Sequence, residues 1–127
     1  LVKKRVKFKY QKDKVLFFFI DPILSLIFFD MTNYIESKYP YLIPLTITRT
    51  IDEKIPGISK SSTHEEGRAI DLRVKSWKQK ELKDIMNYVN QKYAADYGTS
   101  RTGLNPCIIP DPNHGTAKHF HIQVKRF

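Results

Sequence analysis

The chemistry in this chain is concentrated in two short stretches. One is Ser62-Thr63-His64-Glu65-Glu66-Gly67-Arg68-Ala69-Ile70-Asp71, and the other is His119-Phe120-His121. Two imidazoles and one carboxylate are the donor set of a hydrolytic zinc. Such a tetrahedral ion keeps a net positive charge and a fourth position open for water. Each half is weak alone. In a strand, residues two apart share a face, so His119, His121 and Gln123 point one way while Phe120, Ile122 and Val124 point to the core. That pattern also describes a solvated polar face. His64 precedes Asp71 by a segment containing Gly67, whose freedom to turn lets His64 approach the face that carries Asp71. A buried Asp71 needs a partner, and a metal or Arg68 can supply it.

The elements that must position these residues follow from pattern. Residues 1–10 alternate basic with apolar positions, and Val15 to Ile20 is apolar throughout. Strand is expected in parts of this region, with a turn at Gln11-Lys12-Asp13. Asp21 before Pro22 is a helix start, with Asp as cap and Pro in the first turn. Ile23, Leu24, Ile27, Phe28, Met31, Tyr34 and Ile35 then recur at helical spacing to about Lys38. Leu45 to Ile51 reads as a strand with Leu45, Ile47, Arg49 and Ile51 on one face and the threonines on the other. Residues 52–62 are loop-like, and Ala69 to Val74 is a strand. Ser76 is expected to cap a second helix, with Gln79 completing a capping box. Its apolar stripe is Trp77, Leu82, Ile85, Met86, Val89 and Tyr93. Cys107 to Ile109 and the segment from His119 to Val124 are further strands. No internal repeat, low-complexity tract or linker stands out. The expected class is α+β: a small, mostly antiparallel sheet flanked by helices.

The chain has 127 residues, enough for one domain with a core of its own. At 41% hydrophobic it is not a disordered chain. Cys107 is the single cysteine, so no intramolecular disulfide forms. Its apolar neighbours suggest a small buried hydrophobe. The net charge of +9 favours an anionic partner such as nucleic acid, a membrane surface or a wall polymer. The apolar run before Asp21-Pro22 lacks a small-residue cleavage site, which argues against a secretory leader. Neither it nor the run from Ile23 to Phe29 has the ~18 residues that suggest a membrane span.

Together, the string S-x-H-x-x-G-x-A-x-D and the later H-x-H resemble the peptidoglycan metallopeptidases of the D-alanyl-D-alanine carboxypeptidase and phage endolysin superfamily. The N-terminal domain of Sonic hedgehog is similar to them in fold. Every fixed position of the first motif is present: Ser62, His64, Gly67, Ala69 and Asp71. The resemblance runs in motif order from about Thr46 to Val124, and residues 1–40 carry no signature. It implies a zinc ion held by His64, Asp71 and His121, with His119 beside it; His119 as the ligand is the alternative. Ser62 is implied to orient the site through a hydrogen bond. Arg49, at the end of a strand before the motif, is implied to grip a substrate carbonyl or carboxylate. Glu65 and Glu66, between two ligands, read as solvated or salt-bridged, with Arg68 as a partner.

One position departs from the family pattern. Many members carry an acid three residues before the last zinc histidine, as general base; here that residue is Lys118. His114 and His119 are the alternative proton acceptors, since imidazole titrates near neutral pH. The resemblance implies a monomeric zinc peptidase that hydrolyses peptide bonds of peptidoglycan, endolysin-like, held near the wall by charge. A zinc-binding module of the same fold without activity is the rival that Lys118 favours. A nucleic-acid binder would account for the charge but leave the metal motif unexplained.

Overall fold

The computed structural model describes residues 4–51, 62–99, 106–109 and 119–126. Strand β1 (Val6–Phe8) leads into helix α1 (Gln11–Leu16), a 3-10 turn (Phe17–Phe19) and helix α2 (Pro22–Lys38). A second 3-10 turn (Pro40–Leu42) precedes β2 (Leu45–Arg49). One helical turn, α3 (Ser62–Glu65), is followed by β3 (Ala69–Arg73), helix α4 (Gln79–Tyr97) and β4 (His119–Gln123). The class is α+β, with a four-stranded sheet in the order β1-β2-β3-β4. The sheet is mixed: β1 runs parallel to β2, whereas β2–β3 and β3–β4 are antiparallel.

Local sequence accounts for the long helices. The carboxylate of Asp21 accepts hydrogen bonds from the amides of Ile23 (2.8 Å) and Leu24 (3.3 Å), satisfying two donors that a helix start leaves open. α4 begins later than its serine suggests. Its cap is Lys78, whose amide donates to Glu81 at 2.8 Å, so Glu81 takes the part expected of Gln79. The apolar stripes of α2 and α4 meet the core face of the sheet in one hydrophobic cluster. Leu24, Ile27, Phe28, Leu82 and Ile85 lie there against Ile47, Ile70, Leu72, Phe120 and Ile122. Each fully buried side chain of this size contributes about 1.5–3 kcal/mol. The opposite face carries the polar residues of β3 and β4.

Three expectations are corrected. Val15 to Ile20 is not a strand: α1 and the 3-10 turn occupy Gln11–Phe19, and the expected turn residues Gln11, Lys12 and Asp13 open the helix. A short apolar run cannot be assigned by periodicity alone, and here the helical form exposes Phe18 and Phe19 (84% and 70%) while burying Asp13. Cys107 makes a single bridge to Thr99 rather than a strand, and it is half-buried. The face assignment of β2 also breaks. Ile47 pairs with Leu72 but Arg49 pairs with Asp71, so Thr48 is an extra residue, a β-bulge. Opposed residues share a face, and the bulge therefore moves Arg49 off the core face of Ile47 onto the face of Asp71. Among the described residues, no single helix is long and apolar enough to cross a membrane.

The structure also draws attention to an internal repeat. Asp30, Tyr34, Lys38 and Tyr39 on and just after α2 recur at the same spacing as Asp84, Tyr88, Lys92 and Tyr93 on α4. The two copies bind each other reciprocally. Asp30 accepts from Tyr88 (3.0 Å), Lys92 (2.7 Å) and Tyr93. Asp84 accepts from Tyr34 (2.8 Å), Tyr39 (2.5 Å) and Lys38 (2.7 Å). Between them the rings of Tyr34 and Tyr88 stack at 3.9 Å. The expectation of no internal repeat is thus corrected: spacings of four put Asp30, Tyr34 and Lys38, and likewise Asp84, Tyr88 and Lys92, on one face of each helix, and the antiparallel crossing brings the two faces together.

This clasp makes acid stability predictable. Burial pushes the Asp30 carboxyl up, but the bonds from Lys92, Tyr93 and Tyr88 more than offset it and leave the pKa below its ordinary 3.8. Lys38 and Tyr39 hold Asp84 below 3.8 likewise. Both folded pKa values lie below the unfolded ones, so the stabilisation is complete above about pH 4 and lost as pH falls through the folded values. Asp30→Asn should cost about 1–2 kcal/mol at neutral pH. Either Asp30→Asn or Asp84→Asn should flatten the acid limb of stability measured by urea unfolding from pH 7 to 2. An unchanged acid limb would refute the clasp.

Candidate metal centre

The centre is a cross-strand row. Asp71 on β3 lies between Arg49 at the end of β2 and His121 on β4 in the ladder. His64 comes from α3 and reaches the same place because the chain reverses at Gly67. Gly67 has φ +71, a left-handed conformation that disfavours a side chain, and its amide bonds back to the His64 carbonyl at 3.1 Å. The Arg68 amide closes the turn onto Thr63 at 2.8 Å. Arg68 then pairs with Glu66, which Arg126 also holds. These two guanidiniums, Arg126 foremost, pull the Glu66 carboxyl down to about 2.

His64, Asp71 and His121 each offer one ligand atom, and these atoms lie within 4.8 Å of one another. The two oxygens of Asp71 are shared. Oδ1 faces Nδ1 of His121 at 2.8 Å, and Oδ2 faces Nε2 of His64 at 3.4 Å. The outer nitrogens are pinned by carbonyl oxygens. Nδ1 of His64 donates to the Thr50 carbonyl at 2.7 Å, and Nε2 of His121 donates to Oε1 of Gln123 at 2.6 Å. A carbonyl only accepts, so each outer nitrogen must carry the hydrogen. In the neutral tautomers the inner nitrogens then present lone pairs to a carboxylate. Lone pairs converging from three groups call for a proton or a cation between them. Outer nitrogens fixed by carbonyl oxygens are the usual support of metal-binding imidazoles. The donor set therefore fits a divalent cation, and the cluster could hold a metal ion.

The electrostatics agree. His64 is fully buried and Asp71 nearly so. Burial works to raise the Asp71 pKa, yet with a proton on the inner nitrogens His121 and His64 donate to it and hold it well below the ordinary carboxylate range.

The other expected residues divide. Arg49 lies beside Asp71 in the ladder, and His119 lies opposite Arg73, one same-face step from His121. Ser62 opens α3, and its side chain falls outside the described residues, as do His114 and Lys118. Glu65 is exposed, and Glu66 is salt-bridged as expected.

Sequence reading missed the supports. Gln123 receives His121 and donates in turn to Thr99. Its signal was available, since it shares the strand face of His121 two residues on. Behind Thr50 stands the buried Asp13, which accepts from the Thr50 amide (3.1 Å) and hydroxyl (2.5 Å). Nothing in the sequence points to Asp13. It belongs to the N-terminal segment and arrives only through tertiary folding. Comparison with protein-family models, with curated proteins and with solved structures found no match.

Two outcomes follow from the supports. Gln123→Ala should weaken divalent-metal binding about 10- to 100-fold, as loss of such a carbonyl generally does. Gln123→Glu, which keeps the acceptor, should retain most of it; competition with a chromogenic chelator reads both. Asp13→Ala strands two buried donors of Thr50 and should cost about 1–3 kcal/mol in chemical denaturation. It should also weaken metal binding through His64.

Proposed function

We propose that the protein is a zinc-dependent peptidase acting on peptidoglycan stem peptides or cross-links, in the manner of the wall metallopeptidases and phage endolysins it resembles in motif. The supporting observation is the convergence of His64 Nε2, His121 Nδ1 and an Asp71 oxygen, with both outer nitrogens bonded to carbonyl oxygens. Zinc is favoured over harder cations because two of three donors are imidazoles. Bound there, zinc would supply Lewis acidity and an acidified water.

The remaining work falls to the chain. Asp71 carries the negative charge that draws the cation in. Arg49, beside it in the ladder, presents a planar guanidinium suited to a carbonyl or carboxylate oxygen of the substrate. His119 stands on the same face and serves as the proton acceptor, with His114 as the other histidine for that role. The domain would act as a monomer, and its +9 charge would keep it near anionic wall polymers.

Purified protein loaded with one equivalent of zinc should release new amino groups from peptidoglycan. A chelator, His121→Ala or Asp71→Asn should abolish the release. His119→Ala should keep its zinc yet lose about 10²–10⁴ in rate if His119 moves the proton. Tight zinc binding with no release from walls of several chemotypes would overturn the peptidase reading in favour of a binding module.

A further inference from the structure

A second polar feature lies on the face of the metal centre. β3 continues from Asp71 to Arg73, two residues on and therefore on the same face. Arg73 lies opposite His119 in the ladder. Beyond it a cavity of about 230 Å³ opens between the chain entering β2 and the chain leaving β3. Tyr41, Pro44, Thr46, Arg73, Ser76 and Trp77 line it. Arg73 is exposed, Ser76 is exposed and Thr46 half-buried, whereas Trp77 is buried as an apolar floor. Among the described residues Arg73 has no carboxylate partner. Asp71, two residues back on the same face, is engaged by His121 and His64, and Glu81, bonded to the lining residue Tyr41, has its oxygens engaged by the Lys78 amide and the Tyr41 hydroxyl.

The chemistry of this pocket is that of a small anion at the end of an apolar stem. A guanidinium with hydroxyls beside it matches the two oxygens of a carboxylate. At ~30 Å³ per water the cavity holds one small residue rather than a polymer strand. Two residues along a strand span ~6.6 Å, and an extended peptide advances ~3.3–3.6 Å per residue. A carbonyl at the metal centre therefore places a carboxylate one or two residues downstream within reach of Arg73.

We propose that this pocket receives the free C-terminal carboxylate of the peptide substrate, with Arg73 as the residue that selects for it. The proposal rests on the peptidase reading, and it narrows that reading to cleavage near a peptide's end.

The test uses a short D-alanine-terminated peptide and its C-terminal amide with zinc-loaded protein. The carboxylate form should be cleaved with a kcat/KM about tenfold or more above the amide. Arg73→Gln should raise KM for the carboxylate form about tenfold with little change in kcat, and leave the amide form untouched. Arg73→Lys should restore part of the preference. Equal effects on both forms, or none, would overturn the pocket while leaving the peptidase reading standing. If neither peptide is cleaved, calorimetric binding of the same pair decides. An Arg73-dependent preference for the carboxylate upholds the pocket as the peptidase reading falls, and no preference overturns it.

Discussion

Asp71 divides its two oxygens between two imidazoles, and the rest of the molecule is arranged so that it can. A nearly buried carboxylate is costly unless cations or hydrogen-bond donors stand against it. His121 meets it through strand pairing, so the β3–β4 register must be kept. A slip of one residue would send Asp71 into the apolar layer and bring Ile70 out. His64 meets it through a turn that closes at Gly67. Neither imidazole is free to rotate away, because the Thr50 carbonyl and Gln123 hold the far sides of the rings.

The supports extend well beyond the two motifs. A continuous line of hydrogen bonds and ion pairs runs from Asp13 on α1 through Thr50, His64, Asp71, His121 and Gln123 to Thr99, two residues beyond α4. It crosses the sheet and joins both ends of the described chain. The first forty residues, which carry no motif, therefore contribute both a core helix and one terminus of this line. The α2–α4 clasp works on the other side of the sheet, where it fixes the layer that the core face packs on. Site and core are thus braced from opposite faces of one thin sheet.

How much of this was legible in the sequence depended on the range of each cause. The Asp21 cap, the stripe of α2, the alternation in β4 and the turn at Gly67 are local, and they could be read residue by residue. The three candidate ligands were legible because residue type and order carry the signal. Elsewhere the cause was remote. Val15 to Ile20 has the composition of a strand, but Asp13 is drawn under Thr50 and the chain coils to bring it there. Ser76 is a good cap by type but lies in the turn that closes at Trp77, and Lys78 takes the cap with its amide held by Glu81. The reciprocal tyrosines and lysines of the two helices are spaced alike in sequence, yet their meaning exists only across the crossing.

Thr48 shows a different kind of economy. A strand of strict alternation would set Thr48 opposite Asp71 and lead Arg49 in beside Ile70, burying a guanidinium in hydrocarbon. The additional residue shifts the phase of everything after it, so one short strand serves the interior with Ile47 and the metal face with Arg49. What matters at this point is a count. The side chain of Thr48 adds only a long bond to the Asp71 carbonyl at 3.4 Å, while its backbone supplies the offset. Strand length here acts as an addressing device, delivering the Arg49 charge to the side of the sheet that carries Asp71.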